Sequence, residues 1–256
     1  MRTEKGQVGK STRREALGAG AVLAAAALVP GVHAAQGSGF KVGLIGCGGR
    51  GTGAAVQALK ADGNSKITAL GDLFPDRIEN SRRLLARDEE IGKRVDVPME
   101  RAFTGIDAYQ KVIASGVDVV LLATPPNFRP LHIEAAVKAG KHVFAEKPVA
   151  VDAPGVRRVL ASCDEARAKN LCIVSGLCWR YEFGVRAVMK EVHAGRLGRI
   201  TSVQSVYNAS LPGKPWPMIR EKNWSDMEWQ LRNWYWFTWL SGDHIVEQAV
   251  HSIDKG

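Results

Sequence analysis

From Lys41 to Gly176 the chain alternates short, uninterrupted apolar runs with longer stretches whose apolar residues recur every three or four positions. Val42-Gly43-Leu44-Ile45 has no polar residue interleaved and stops at a glycine cluster, the pattern of a parallel strand covered on both faces. Comparable runs predict strands over 41–45, 66–70, 117–123, 142–145 and 171–176. Between them the spacing predicts helices over 51–60, 76–87, 107–114, 130–139 and 152–168, the second with Ile78, Leu84 and Leu85 turned inward. Strands alternating with helices at this rhythm imply an α/β fold, a doubly wound parallel sheet with right-handed crossovers.

After Gly176 the rhythm stops. An amphipathic helix is expected over 183–194, a half-exposed strand over 200–207, and a helix over 243–254 carrying Ile245, Val246, Ala249, Val250 and Ile253. Six of the seven tryptophans fall between Trp216 and Trp239, in a stretch that reads as a long packed loop with a helix inside it. One strand can neither form a sheet nor hide its edges, so residues 179–256 are expected to be an incomplete α+β second domain, cut short, behind a first domain over 38–178.

Residues 1–34 have a different character. Lys10-Ser11-Thr12-Arg13-Arg14 precedes an Ala-rich apolar stretch from Ala16 to Val29, ended by Pro30-Gly31 and followed by small residues. This is a signal-peptide layout, with cleavage near Ala34 or Ala35. Its apolar stretch falls short of the roughly 20 residues of a spanning helix, so no stable membrane anchor is expected after cleavage. The paired arginines resemble a twin-arginine signal, which exports folded proteins to the periplasm, although an ordinary secretion signal also begins with basic residues.

The net charge of +9 loses five basic and two acidic residues with that leader, leaving about +6 spread along the chain. Such a spread implies a solvated surface and no nucleic-acid partner. Cys47, Cys163, Cys172 and Cys178 do not suit a disulfide framework: the last two bracket an extended run that would hold them roughly 20 Å apart. Buried free thiols are expected instead.

Chemistry enters at Gly46-Cys47-Gly48-Gly49-Arg50-Gly51, a G-x-G-x-x-G run placed between the first strand and the first helix. Gly46 permits the tight turn, Gly48 lets a pyrophosphate approach the backbone, and Gly51 allows close helix–strand packing, with Gly49, Arg50 and the helix N-terminus facing the phosphates. Asp72 ends the second strand about 20 residues on, placed to accept the adenosine ribose hydroxyls. Together they predict a Rossmann-type domain that binds NAD or NADP. Asp72 favours NAD by repelling a 2′-phosphate, while Arg77 leaves NADP open.

Three stretches extend the picture: the glycine run itself, Ala123-Thr124-Pro125-Pro126 with His132 downstream, and Ala139-Gly140-Lys141-His142-Val143-Phe144-Ala145-Glu146-Lys147-Pro148. In these the chain resembles the glucose-fructose oxidoreductase / inositol dehydrogenase / MocA (Gfo/Idh/MocA) family, over roughly Phe40 to the end. The resemblance implies cofactor contacts from Thr124, Pro125, His132, Glu146 and Lys147. It further implies a sugar or polyol substrate and, in full-length members, homo-oligomers. Lys147 matches the family lysine between nicotinamide and substrate hydroxyl, where an ammonium stabilises a developing alkoxide. The run Glu247-Gln248-Ala249-Val250-His251 resembles the family's aspartate–histidine helix, with Glu247 in place of the aspartate and His251 as general base. Arg180 and Tyr181, after the last strand, are implied substrate contacts. His244 and His251 lie seven apart, but nothing completes a zinc-like spacing, so no metal is expected.

The resulting expectation is a sugar or polyol oxidoreductase with a retained cofactor. Two alternatives stand beside it: an NAD-dependent glycosidase of the same resemblance, acting by transient oxidation, and a truncated, non-catalytic nucleotide-binding remnant.

Overall fold

The computed structural model describes residues 39–209 and 219–256; the expected leader over 1–34 and Trp216 lie outside the described residues. From Gly39 onward the described chain forms one compact unit. Six parallel strands form its sheet in the order β3-β2-β1-β4-β5-β6: β1 (Lys41–Ile45), β2 (Lys66–Asp72), β3 (Ala102–Thr104), β4 (Val119–Leu122), β5 (His142–Ala145) and β6 (Ile173–Ser175). The order reverses between β1 and β4, and a crevice opens at the strand ends where such a sheet binds ligands.

Helices cover both faces. Against one face pack α1 (Gly49–Ala61) and α2 (Pro75–Arg87), whose Ala54, Ala55, Leu59, Ile78 and Leu85 meet Val42, Leu44 and Leu70 of the strands. The other face carries α3 (Ala108–Ala114), α4 (Arg129–Lys138) and α5 (Ala153–Ala168), with Val112, Ile133, Val137 and Val159 against Ile45, Val120 and Val143. Each fully buried Leu, Ile or Val contributes about 1.5–3 kcal/mol. Pro75 opens α2 at a position that needs no amide donor, and the Asp152 carboxylate caps α5 by accepting the Gly155 amide at 2.7 Å.

Several expectations need correction. Leu84 is half exposed, because Ile78 and Leu85 stand seven apart on one helix face while Leu84 is rotated off it. The run 200–207 forms no strand: Ile200, Val203 and Val206 are exposed, and among the described residues no strand lies alongside to offer the ladder that alternation alone cannot supply. Of the free thiols only Cys47 is buried, whereas Cys163 is partly covered and Cys172 and Cys178 are exposed. The short edge strand β3 went unread, its three residues being too few to show a period.

Past β6 the chain turns through Cys178–Tyr181 into α6 (Phe183–His193), which buries none of its residues. The tryptophan-rich stretch contains α7 (Asp226–Arg232), a 3-10 turn (Trp234–Trp236) and α8 (Thr238–Ser241). The expected C-terminal helix exists, but its first half is a π-turn (Ile245–Ala249) that leads into α9 (Val250–Ile253). Among the described residues no helix is long and apolar enough to cross a membrane.

Candidate functional site

A cavity of about 380 Å³ opens at the carboxyl ends of β1, β2 and β4 and is lined by residues from both halves of the chain. The glycine loop forms its floor. Gly46 adopts φ +96°, a conformation that disfavours any side chain, and a Cβ on Gly51 would lie 1.8 Å from the Gly46 carbonyl oxygen. Gly48 and Gly49 differ: a Cβ on either would meet no described atom, so the backbone here faces open space. The first turn of α1 carries no acidic residue and no side-chain cap, leaving its amides available to an anion. This is the cradle a dinucleotide pyrophosphate requires.

Asp72 borders the cavity and braces the loop. Its Oδ2 accepts the Cys47 amide at 2.7 Å and its Oδ1 accepts the Phe74 amide at 3.0 Å. Burial pushes its carboxyl up, against the pull of those two amides. Arg50 reaches from the loop to Glu146 at 2.8 Å, linking α1 to the turn after β5. Thr124, Pro125 and His132 line the wall beyond. The Thr124 hydroxyl stands 3.3 Å from His132 Nδ1, and the imidazole stacks on Tyr109 with centroids 4.2 Å apart. Burial, aided by the neighbouring Arg129 charge, pulls the His132 pKa down to about 4, so the ring is neutral at pH 7.

At the inner end Lys147 meets Glu247, a hundred positions later in sequence, at 2.7 Å; both side chains are nearly buried. The ammonium also donates to the Glu247 backbone carbonyl, on the π-turn. Such turns recur at functional sites. Burial pushes the Glu247 carboxyl up, while Lys147 pulls it down. His251 does not line the cavity: its ring packs on Trp179 with centroids 5.4 Å apart, and burial followed by the Lys147 charge lowers its pKa, favouring the neutral base.

Three buried polar atoms around this end have no hydrogen-bond partner among the described residues: Glu247 Oε2, His251 Nδ1 and Arg129 Nε. Orphaned groups cost about 1–3 kcal/mol each, and a polar ligand would relieve them. Donor, acceptor and glycine cradle together fit a nicotinamide dinucleotide.

The two residues expected to contact substrate lie outside the cavity lining. Arg180 faces Asp254, donating through Nε and Nη2 at 2.7–2.9 Å, and Tyr181 is exposed; neither borders the cavity. Arg180 instead ties the turn after β6 to the helix that carries His251. Conversely, Leu231, Trp234 and Tyr235 do border the cavity, as does Arg129. The tryptophan stretch, read from sequence as a packed loop, thus brings one of its rings, Trp234, to the cavity. Arg129 was unread because an arginine opening a helix looks like a solvated charge. The Pro126-Asn127-Phe128 turn just ahead of it is the only local sign that α4 starts against the site.

Comparison with known proteins agrees with the Rossmann-type fold. Residues 40–174 match the oxidoreductase family with an NAD-binding Rossmann fold, Gfo/Idh/MocA. The chain is 31% identical over 189 residues to an uncharacterized oxidoreductase of Streptococcus pneumoniae serotype 4, covering 72% of this chain and 45% of that one. It is 27% identical over 217 residues to an inositol 2-dehydrogenase of Azotobacter vinelandii, covering 82% and 57%. The scyllo-inositol dehydrogenase of Lactobacillus casei, solved with NAD(H) and scyllo-inositol, shares the fold at a TM-score of 0.51 and 24% identity, over 64% of this chain and 44% of that one. The chain thus spans about half the length of the curated relatives it matches. On the strength of the match over its sheet, glycine loop and Glu146-Lys147-Pro148 turn, the chain belongs to the Gfo/Idh/MocA family of NAD-binding oxidoreductases.

Proposed function

We propose that this protein oxidises a secondary hydroxyl of a sugar or polyol, with NAD(P) as hydride acceptor and NAD favoured by Asp72. The observation that carries the reading is the buried Lys147–Glu247 pair at 2.7 Å, in the same cavity as the glycine cradle. When bound, the nicotinamide supplies the site that takes the hydride. The chain's own residues manage the charge left behind. Lys147 presents an ammonium to the developing alkoxide and Glu247 holds that ammonium in place, while the family resemblance assigns the hydroxyl proton to His251, whose ring packs on Trp179 outside the cavity lining and is biased by burial toward the neutral base. Glu146 and Arg50 brace the turn from the loop side.

The relative from Azotobacter vinelandii named as an inositol 2-dehydrogenase supports a polyol substrate. The paired Arg13-Arg14 ahead of an apolar stretch supports export with the cofactor already in place. Purified protein should reduce NAD or NADP in the presence of myo-inositol or an aldose. Lys147→Ala and His251→Ala should each lower kcat/KM about 10²–10⁴-fold, with NADH affinity changed little. Wild-type turnover in both variants would sink the assignment. Release of a chromogenic aglycone without net NADH formation would replace it with transient-oxidation glycosidase chemistry.

A further inference from the structure

Arg129 is a permanently charged side chain buried to 4% exposure in the wall of the cavity, and no carboxylate of the described residues forms an ion pair with it. Its Nη1 donates to the Pro148 carbonyl oxygen at 2.6 Å, one residue beyond Lys147. Its Nε has no partner among the described residues. Glu247 and Glu146 act on it through space, without contact. Burying a guanidinium so incompletely paired is costly, and removing a positive charge from between two acids costs the acids as well. A purely structural role would be met more cheaply by an apolar residue or a neutral donor.

We propose that Arg129 is the positioning residue for Lys147: it fixes the Glu146-Lys147-Pro148 turn by gripping the Pro148 carbonyl, and supplies the standing counter-charge for Glu247 and Glu146. Lys147 is then held from two sides. Glu247 pulls on its ammonium, and Arg129 anchors the backbone behind it. The burial that lowers the Arg129 pKa to about 10 still leaves it fully cationic at neutral pH, so the anchor does not titrate where the enzyme works.

The inference rests on Lys147 being the working ammonium, yet its test needs no turnover. Trace labelling of the full purified chain with acetic anhydride, read by mass spectrometry, compares Lys147 with the surface lysines Lys60 and Lys138. Arg129→Met should raise Lys147 acetylation about tenfold relative to those two, as expected for loss of one charge-assisted hydrogen bond. Arg129→Lys, which keeps the charge, should return Lys147 to within about threefold of wild type. NADH affinity should stay within about threefold throughout while kcat for polyol oxidation falls, because the Arg129 guanidinium bonds the Pro148 carbonyl behind Lys147. Unchanged Lys147 labelling in a folded Arg129→Met protein overturns the proposal, and failure of Arg129→Lys to rescue overturns its counter-charge half. Should Arg129→Met not fold, Arg129→Gln is read in the same way. Absence of any polyol turnover by the wild type would defeat the dehydrogenase reading and leave the labelling result standing.

Discussion

His132 shows how one buried ring becomes a sensor of acidity for the whole domain. Its folded pKa of about 4 lies below the 6.5 of an unperturbed imidazole. Between those values the unfolded chain binds a proton that the folded chain refuses, so stability is lost as pH falls from 6.5 toward 4. The span corresponds to a loss on the order of 3 kcal/mol. His132→Phe keeps the stack on Tyr109 and should flatten that limb of a urea-derived stability–pH curve; an unaltered slope would show the imidazole is not its origin. At this scale the sequence was most legible where chemistry dictates both residue type and position: the glycines of the loop, Asp72 at a strand end, Lys147 after β5. It was least legible for Arg129 and Arg180, whose partners Pro148 and Asp254 lie 19 and 74 positions away, so that only the fold reveals them as anchors.

The strands and helices of the sheet, the three-residue edge strand β3 apart, emerged at nearly their observed bounds because each is long enough to show its pattern and each strand has a partner in the sheet. The run 200–207 failed for the opposite reason: alternation makes a strand only when another strand lies alongside. A similar limit hid the π-turn, since widening a helix by one residue per turn leaves its apolar pattern almost unchanged. The loop-to-helix junction supports a sharper test, because two neighbouring glycines there have different duties. Gly51→Ala drives a Cβ against the Gly46 carbonyl and should cost about 1–3 kcal/mol of stability, measured by urea unfolding. Gly48→Ala meets no described atom and should melt like wild type, yet weaken NADH binding by filling the cradle. If both variants lose stability equally, the cradle is merely a tight turn.

Taken whole, the molecule folds its later half back over its earlier one. Arg232 on α7 pairs with Asp76 at the start of α2 at 3.0 Å, bonds Glu228, and lies 3.9 Å over the Phe74 ring and 4.9 Å from that of Trp224. Beside it Leu231, Trp234 and Tyr235 border the cavity, so this clasp lies on the same cavity rim as Asp72 and Phe74. Arg232 holds the Asp76 carboxyl below the usual carboxylate range, so the ion pair persists near neutrality and is lost only as pH falls through that lowered value. Arg232→Met should speed NADH dissociation about tenfold, seen in stopped-flow mixing with excess NAD; an unchanged rate would mean that the cofactor leaves by another route. The clasp also makes the measurement possible. Trp234 stands on the cavity wall, and indole emits at wavelengths that a reduced nicotinamide absorbs but an oxidised one does not. Resonance energy transfer from that ring would make the protein its own optical gauge, dimming as hydride arrives and brightening as it departs, with no added dye.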